Sequence, residues 1–375
     1  MNTSSAIVIG AGIVGLATAR ALSLKGYNVT VIERSEKAIG ASVRNFGMIW
    51  PIGQPDGKLY SRAMRSKMIW KEIADSISLP YEETGSLHLA YHDDEWQVLQ
   101  EVHEIFLNSN RHVSLMSKDI ITGKFNSVNQ NGLLGGLYSD AEMIIDPREG
   151  LALIPLYLSE YLDIKFIWGQ AVTSVGAGIV YLNKQEMEAD VICICSGEDF
   201  KSLYPDEFSN AEITKCKLQM MRFVSEDKNY RIGTSLCGGL SLVHYKSFSD
   251  AHSLPKLKKR FEEEMPEYVE NGIHVMVAQN SKGELTIGDS HQYGSVFEPF
   301  NHSCINKLIV KYLKQFANID SWRLVQTWNG IYPKMTNEET DLFIEPEPGV
   351  FIINGLGGAG MTLSFGLAEE IIERI

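Results

Sequence analysis

The sequence predicts an α/β protein in which a Rossmann-like dinucleotide-binding domain carries an inserted, mainly antiparallel-sheet domain. Three observations point there. The chain opens with a short apolar run, a glycine-rich turn and a helical pattern over residues 6–25. It closes with another short apolar run and a second glycine-rich turn over 350–360. Between them, from Lys215 to about Ile287, short strand-like segments take over. The expected division gives 1–83, 140–214 and 325–375 to the dinucleotide-binding domain, and 84–139 and 215–324 to the inserted one.

Residues 6–9 (AIVI) read as a buried strand. Gly10-Ala11-Gly12-Ile13-Val14-Gly15 follows at once and opens a helix over about 13–25, broken at Gly26. A second apolar run, 28–32, ends in Glu33. Gly10 permits the tight turn, Gly12 lets backbone approach a pyrophosphate, and Gly15 lets the helix pack close to its strand. The helix start at Ile13 and Val14 offers N–H groups and a positive dipole end to phosphate. Glu33, 18 residues after Gly15, is spaced to accept from ribose hydroxyls and would repel the 2′-phosphate of NADP. This motif alone does not separate FAD from NAD.

Lysine and arginine number 34 against 47 aspartates and glutamates, a net charge of −13. That excludes general attraction to nucleic acid or an anionic membrane, but not a basic pocket for an anionic substrate. No run reaches the ~18 apolar residues of a membrane span. The first strand starts too close to Met1 for a signal segment, so a cytoplasmic protein is expected. Cys193, Cys195, Cys216, Cys237 and Cys304 are scattered and read as structural thiols of a reducing compartment.

Residues 34–57 form a long stretch rich in Gly and Pro, the kind of ordered loop that carries function. Helices are expected over 59–77, 94–109, about 115–124, 147–162, 254–264, 303–316 and 362–375. Strands are expected over 84–91, 136–143, 164–168, 173–181, 189–195, 217–224, 240–248, 272–278, 284–288 and 350–354. The run ADVICIC ending at Ser196-Gly197 has the form of a central parallel strand that meets a cofactor.

The fingerprint at Gly10–Gly15, the SGED segment after VICIC and the terminal VFIINGLGGAGMTLSFGLA together resemble the D-amino-acid oxidase-like family of FAD enzymes, which includes glycine oxidase and monomeric sarcosine oxidase. The resemblance covers nearly the whole chain. It implies a Rossmann-like FAD-binding domain and an inserted substrate domain. It places Gly357, Gly358, Gly360, Met361 and Thr362 around the flavin, where helix N–H groups stabilise the anionic reduced ring. It implies Val172 beside the adenine, with Ser196, Gly197 and Gly330 at the cofactor. Arg34, Ala41, Ser42, Arg44, Asn45, Phe46 and Gly47 would line the isoalloxazine. The segment GIYPKMTNEETD, 330–341, lacks the cysteine that binds flavin covalently in some relatives, so FAD is expected to be non-covalent.

Amino-acid oxidases of this family carry an arginine in a G-x-R-P-x-T segment to clamp the substrate carboxylate. Here Tyr332 stands in that place, before Pro333 and Lys334, which removes the bidentate partner of a plain α-amino acid. The stretches SVRNFGMIWPIGQP, MIIDPREG and LTIGDSHQYG resemble a subgroup associated with phosphonate metabolism. That implies oxidation of an aminophosphonate, such as 2-aminoethylphosphonate or an N-methylated relative. The implied course is hydride transfer to flavin N5, imine hydrolysis and reduction of O2 to hydrogen peroxide. The partners are then a small anionic amine and O2. Alternatives are a glycine- or sarcosine-type oxidase, an amine dehydrogenase with another acceptor, or a flavin-binding partner without turnover.

The substrate-side candidates are Arg44, His244, Tyr245, His291, Tyr332 and Lys334, with Asn45 and Trp50 shaping the wall. No metal site is read. Arg44 suits either the substrate anion or the FAD pyrophosphate. His244 and Tyr245, read as strand neighbours, would point to opposite faces, so at most one faces the pocket. His291 either favours oxygen reduction near the flavin or caps a turn. Trp50, Met220 and Met221 read as packing residues, and Asp146 with Arg148 as a structural salt link.

Overall fold

The computed structural model describes residues 4–183, 185–319 and 321–375. Its central layer is a six-stranded sheet in the order Leu342–Glu347, Val350–Asn354, Val191–Ile194, Ser5–Ile9, Asn28–Glu33, Lys165–Trp168. All neighbours are parallel except the first pair, a hairpin. Alternation in the strand after Asp190 separates its two faces. Ile192 and Ile194 pack with Ile7, Ile9 and Ile32 on one side, while Cys193 and Cys195 face the helices with Val8 and Leu16 on the other. Burial on both faces explains the continuous apolar runs.

On that second face the first helix, Ile13–Leu24, and the last, Gly360–Ile372, pack beside each other, with Lys58–Ser76 across the last. Gly366 makes this possible: a Cβ there would stand 2.6 Å from the Arg62 carbonyl oxygen. Its N–H donates to Ser66 Oγ at 2.9 Å. Arg62, almost wholly buried, reaches Asp341 at 2.7 Å and Glu370 at 2.8 Å, anchoring the crossing by charge.

The second sheet has nine strands. It runs from Gln292–Gly294 through Ile213–Ser225, Glu284–Gly288, Met276–Gln279, Ser235–Cys237, Ser86–Ala90 and Gly135–Ser139 to Val113–Ser117. Its pairs are antiparallel apart from Ser235–Cys237 with Ser86–Ala90. The ninth strand, Trp322–Met335, pairs with Ile213–Ser225 along nearly its whole length, from Ser225–Trp322 to Ile213–Met335. It ends with a bridge from Lys334 to Leu356, inside the second glycine-rich turn. The core under this sheet is led by Phe106, Phe248, Phe261 and Phe316.

Several elements depart from the sequence reading. Residues 240–248 are not a strand but two short 3-10 turns, Gly239–Ser241 and Lys246–Phe248. Their apolar residues satisfy a core made by other elements, which mimics strand composition. The expected strand 136–143 is split into Gly135–Ser139 and Met143–Ile145. The strand Trp322–Met335 was not foreseen; many of its outward residues are polar and exposed. Four cysteines are buried as expected, whereas Cys304 is exposed.

Candidate active site

A cavity of about 820 Å3 runs from the carboxyl ends of the parallel strands to the face of the antiparallel sheet. Its first end is made by the opening motif. Gly10 has φ +106°, and a Cβ on it would sit 2.4 Å from the Cys195 carbonyl oxygen. Gly12, Ile13 and Val14 border the cavity, and Gly15 lies beneath the turn, where a Cβ would meet the Gly10 carbonyl oxygen at 1.9 Å. Ser42 Oγ accepts from the Ile13 N–H at 3.0 Å, so the loop after Glu33 closes over the helix start. Glu33 accepts from the backbone N–H groups of Ala11 and Ser35, both at 2.9 Å, which fixes its carboxylate at the cavity edge. Val172 borders the same end. Arg34 borders it too and pairs with Asp199, another wall residue, at 2.6 Å.

The second glycine-rich turn is tied to the SGED segment. Asn354 Nδ2 donates to the Gly197 carbonyl at 3.0 Å while its Oδ1 accepts from the Gly355 N–H at 2.8 Å. The side chain thus links two loops that both border the cavity, with Ser196, Gly357, Gly358, Gly360 and Met361. Thr362 Oγ1 accepts from the Trp50 N–H at 2.9 Å, pinning the 34–57 loop to the last helix. Gly47, at φ +76°, is the remaining glycine of the expected set. It does not line the cavity, and a Cβ there would strike the Ile145 carbonyl oxygen at 1.9 Å. Its role is close packing of that loop.

At the far end, Arg44, Asn45, Phe46 and Trp50 come from the 34–57 loop and Gly330, Tyr332 and Lys334 from the long strand. Tyr332 lies opposite Cys216 and Gly330 opposite Leu218 in the ladder. Burial pushes the phenols of Tyr245 and Tyr332 well above 10, so both remain O–H donors at neutral pH. Lys334 Nζ donates to Tyr293 Oη at 3.0 Å. Arg44 reaches the Asn329 carbonyl at 3.4 Å, a weak tie that leaves its guanidinium available.

His244 and Tyr245 both border the cavity, which corrects the expectation that at most one does. The turn between the two 3-10 segments breaks the alternation that would separate them. Asp146 and Arg148 do not pair with each other; the salt link at this turn is between Asp146 and Arg222, at 3.8 Å. Asp146 caps the helix Pro147–Leu162, accepting from the Arg148 N–H at 2.9 Å, while the Arg148 side chain goes to Gln326 at 2.9 Å. Met220 and Met221 are buried as expected, though Met220 also touches the cavity.

Two wall residues were missed by sequence reasoning, His274 and Asp289, together with the loop-linking Asn354. Asp289 follows the strand Glu284–Gly288, and its Oδ1 lies 3.1 Å from His274 Nε2. Burial alone would raise the Asp289 carboxyl, but His291 and His274 beside it hold it below the usual carboxylate range. Burial lowers His244 well below its ordinary value and lowers His291 as well, so both are neutral at pH 7. The signal available in the sequence was the polar cluster GDSH after an apolar strand; His274 gave none.

The cavity suits a dinucleotide that extends to a flavin. Its volume of about 820 Å3 lies within the usual range of ligand sites. Two buried polar atoms on its wall, Ser196 Oγ and Trp50 Nε1, have no hydrogen-bond partner among the described residues. Both glycine-rich turns bring backbone to its edge where side chains would block it. Residues 5–374 match the family model described as FAD dependent oxidoreductase. The chain belongs to that family.

This FAD-dependent oxidoreductase superposes on glycine oxidase from Bacillus cereus ATCC 14579 with a TM-score of 0.79 at 14% identity, over 99% of this chain and 94% of that one. L-proline dehydrogenase from P. horikoshii gives 0.80 at 18% identity, over 99% and 92%. These likenesses establish the fold. In sequence, the chain is 26% identical over 215 residues to glycerol 3-phosphate dehydrogenase from Caloramator mitchellensis, spanning 54% of this chain and 42% of that protein. It thus spans less than half of the curated relatives it matches first. Among the described residues, no helix is long and apolar enough to cross a membrane.

Proposed function

We propose that this protein is an FAD-dependent oxidase of a small amine that bears an anionic group, with an aminophosphonate or N-methylated aminophosphonate as the substrate class. The observation that carries this reading is the make-up of the far wall. The buried carboxylate of Asp289 and the cations Arg44 and Lys334 border one cavity, a combination suited to a small zwitterion. Tyr332, in the place of the family's carboxylate-clamping arginine, supports a substrate other than a plain α-amino acid. Bound FAD supplies the two-electron acceptor. Arg44 or Lys334 holds the anionic oxygens, and Tyr332 and Tyr245 donate O–H groups that fix orientation. Met220, Phe46 and Trp50 wall the site against bulk water.

In this reading 1–83, 140–214 and 325–375 form the FAD-binding domain and 84–139 with 215–324 the substrate domain. The strands Ile213–Ser225 and Trp322–Met335 then run through both. Gly10, Gly12, Ile13, Val14 and Glu33 hold the adenosine and pyrophosphate, and the 357–362 turn holds the pyrimidine edge of the flavin.

The test is anaerobic mixing of the holoenzyme with glycine, sarcosine, 2-aminoethylphosphonate, its N-methyl form and glycerol 3-phosphate, watching the flavin band. Bleaching by an aminophosphonate is expected. Bleaching by sarcosine or glycine alone would overturn the substrate class. Bleaching by glycerol 3-phosphate alone would favour a phosphorylated alcohol, the reading supported by the likeness to glycerol 3-phosphate dehydrogenase. Peroxide formed in air distinguishes an oxidase from a dehydrogenase, and acid precipitation should leave a colourless pellet if FAD is non-covalent.

A further inference from the structure

The far wall holds a cluster of which the reading above uses only Asp289. Asp289, His274 and His291 are each at least nine-tenths buried and border the cavity beside His244. Asp289 Oδ1 stands 3.1 Å from His274 Nε2 but is not aligned for a hydrogen bond, and no other partner reaches it among the described residues. Asp289 Oδ2 is 3.8 Å from His291 Nε2. His291 Nδ1 lies 2.9 Å from the Gly272 carbonyl oxygen. A carbonyl only accepts, so Nδ1 carries the proton and Nε2 keeps its lone pair on the Asp289 side. A buried, poorly partnered carboxylate beside an imidazole lone pair is a seat for a cation.

Ring orientation decides which cation. One ring nitrogen from each of His244, His274 and His291 falls within a common 4.8 Å. The rings of His244 and His274 lie face to face, 3.7 Å between centroids and 26° between planes, so their lone pairs do not converge on a point, as a zinc ion requires of its nitrogen ligands. An ammonium group held by Asp289 and by His291 Nε2 alone needs no such convergence.

We propose that Asp289 seats the ammonium group of the substrate and that the neighbouring His291 Nε2 takes its proton. The inference rests on the amine reading above. In the step, one N–H bond of the ammonium breaks, the electron pair stays on nitrogen, and the proton joins the Nε2 lone pair. The imidazolium so formed keeps its Nδ1–H on Gly272 and faces the Asp289 carboxylate. The substrate is left as the free amine, the form able to give up a hydride. No oxidant is consumed in this step. The charged and titratable groups facing His291 are Asp289, His274, His244, Lys334 and Tyr293.

The test pairs each amine with its alcohol counterpart: 2-aminoethylphosphonate with 2-hydroxyethylphosphonate, and glycine with glycolate. It uses the pair whose amine bleaches the wild-type holoenzyme. Asp289→Asn should raise the half-saturation of flavin reduction for the amine at least 30-fold. The inhibition constant of the alcohol should move less than threefold. Equal losses for both, or no loss for the amine, would overturn the ammonium seat. So would one equivalent of a transition metal in the wild-type protein that Asp289→Asn loses. His291→Gln, checked for normal flavin content, should reduce flavin only as pH rises toward the range of the free amine. A profile superimposable on wild type would overturn the proton step. If no amine bleaches the wild-type protein, the amine reading fails and the seat falls with it; an unchanged amine constant in Asp289→Asn sinks the seat alone.

Discussion

At the end made by the opening motif the cavity is bounded largely by main chain: two glycine-rich turns, a helix start, and a glutamate held by two backbone N–H groups. At its far end the wall is made of side chains, Arg44, His244, His274, Asp289 and Tyr332, brought from five separate stretches of sequence. The first construction needs particular residues at fixed local spacings, because only a missing Cβ lets backbone approach closely. The second needs only that a sheet place distant residues side by side. It can therefore change chemistry without changing the fold.

This contrast can be broken experimentally. The largest effect is expected from Gly15→Val, whose side chain has no room beneath the Gly10 carbonyl oxygen. The purified variant should carry no flavin, read from its visible-to-ultraviolet absorbance ratio. Full flavin content would show that the turn tolerates displacement. Next, Glu33→Ala frees the N–H groups of Ala11 and Ser35 and removes the proposed ribose acceptor, so the Kd for FAD should rise by roughly tenfold or more. Arg44→Ala should raise KM by about tenfold for an anionic amine and by no more than about threefold for an uncharged one. Equal changes would move Arg44 to the cofactor side of the comparison.

The smallest effect concerns Asp199. Burial raises its carboxyl, but the Ser202 hydroxyl, the backbone N–H groups of Lys201 and Ser202, and Arg34 outweigh this and bring it down to about 2. Its unfolded value is 3.8, so the stabilisation is complete above about pH 4 and is lost as pH falls toward 2. Because the group is partly open to solvent, about 1 kcal/mol is at stake. Denaturant midpoints of wild type and Asp199→Asn should therefore differ at pH 6 and converge near pH 2.

Legibility in the sequence follows the same divide. The first strand, turn and helix, the strand Val350–Asn354 and the turn after it were readable, because local spacing and apolar runs fix them. Of the expected site residues, only Gly15 and Gly47 lie off the cavity wall, and both pack against neighbouring backbone. The segment 240–248 misled because buried turns and buried strands share a composition. His274 was invisible because a lone histidine before a strand says nothing until Asp289 and His291 meet it across the sheet. Arg148 was misassigned because its partner Gln326 is 178 positions away.

The long strand Trp322–Met335 carries one further consequence. It is zipped to Ile213–Ser225 along almost its whole length, and its Lys334 bridges to Leu356. Gly330, Tyr332 and Lys334 are thus marks on a single stiff ruler whose end is fastened to the second glycine-rich turn. The reach from that turn to each wall residue is set by strand rise, about 3.3 Å per residue, rather than by how side chains pack. A substitution on this strand can alter what the wall grips while leaving how far it stands from the turn unchanged.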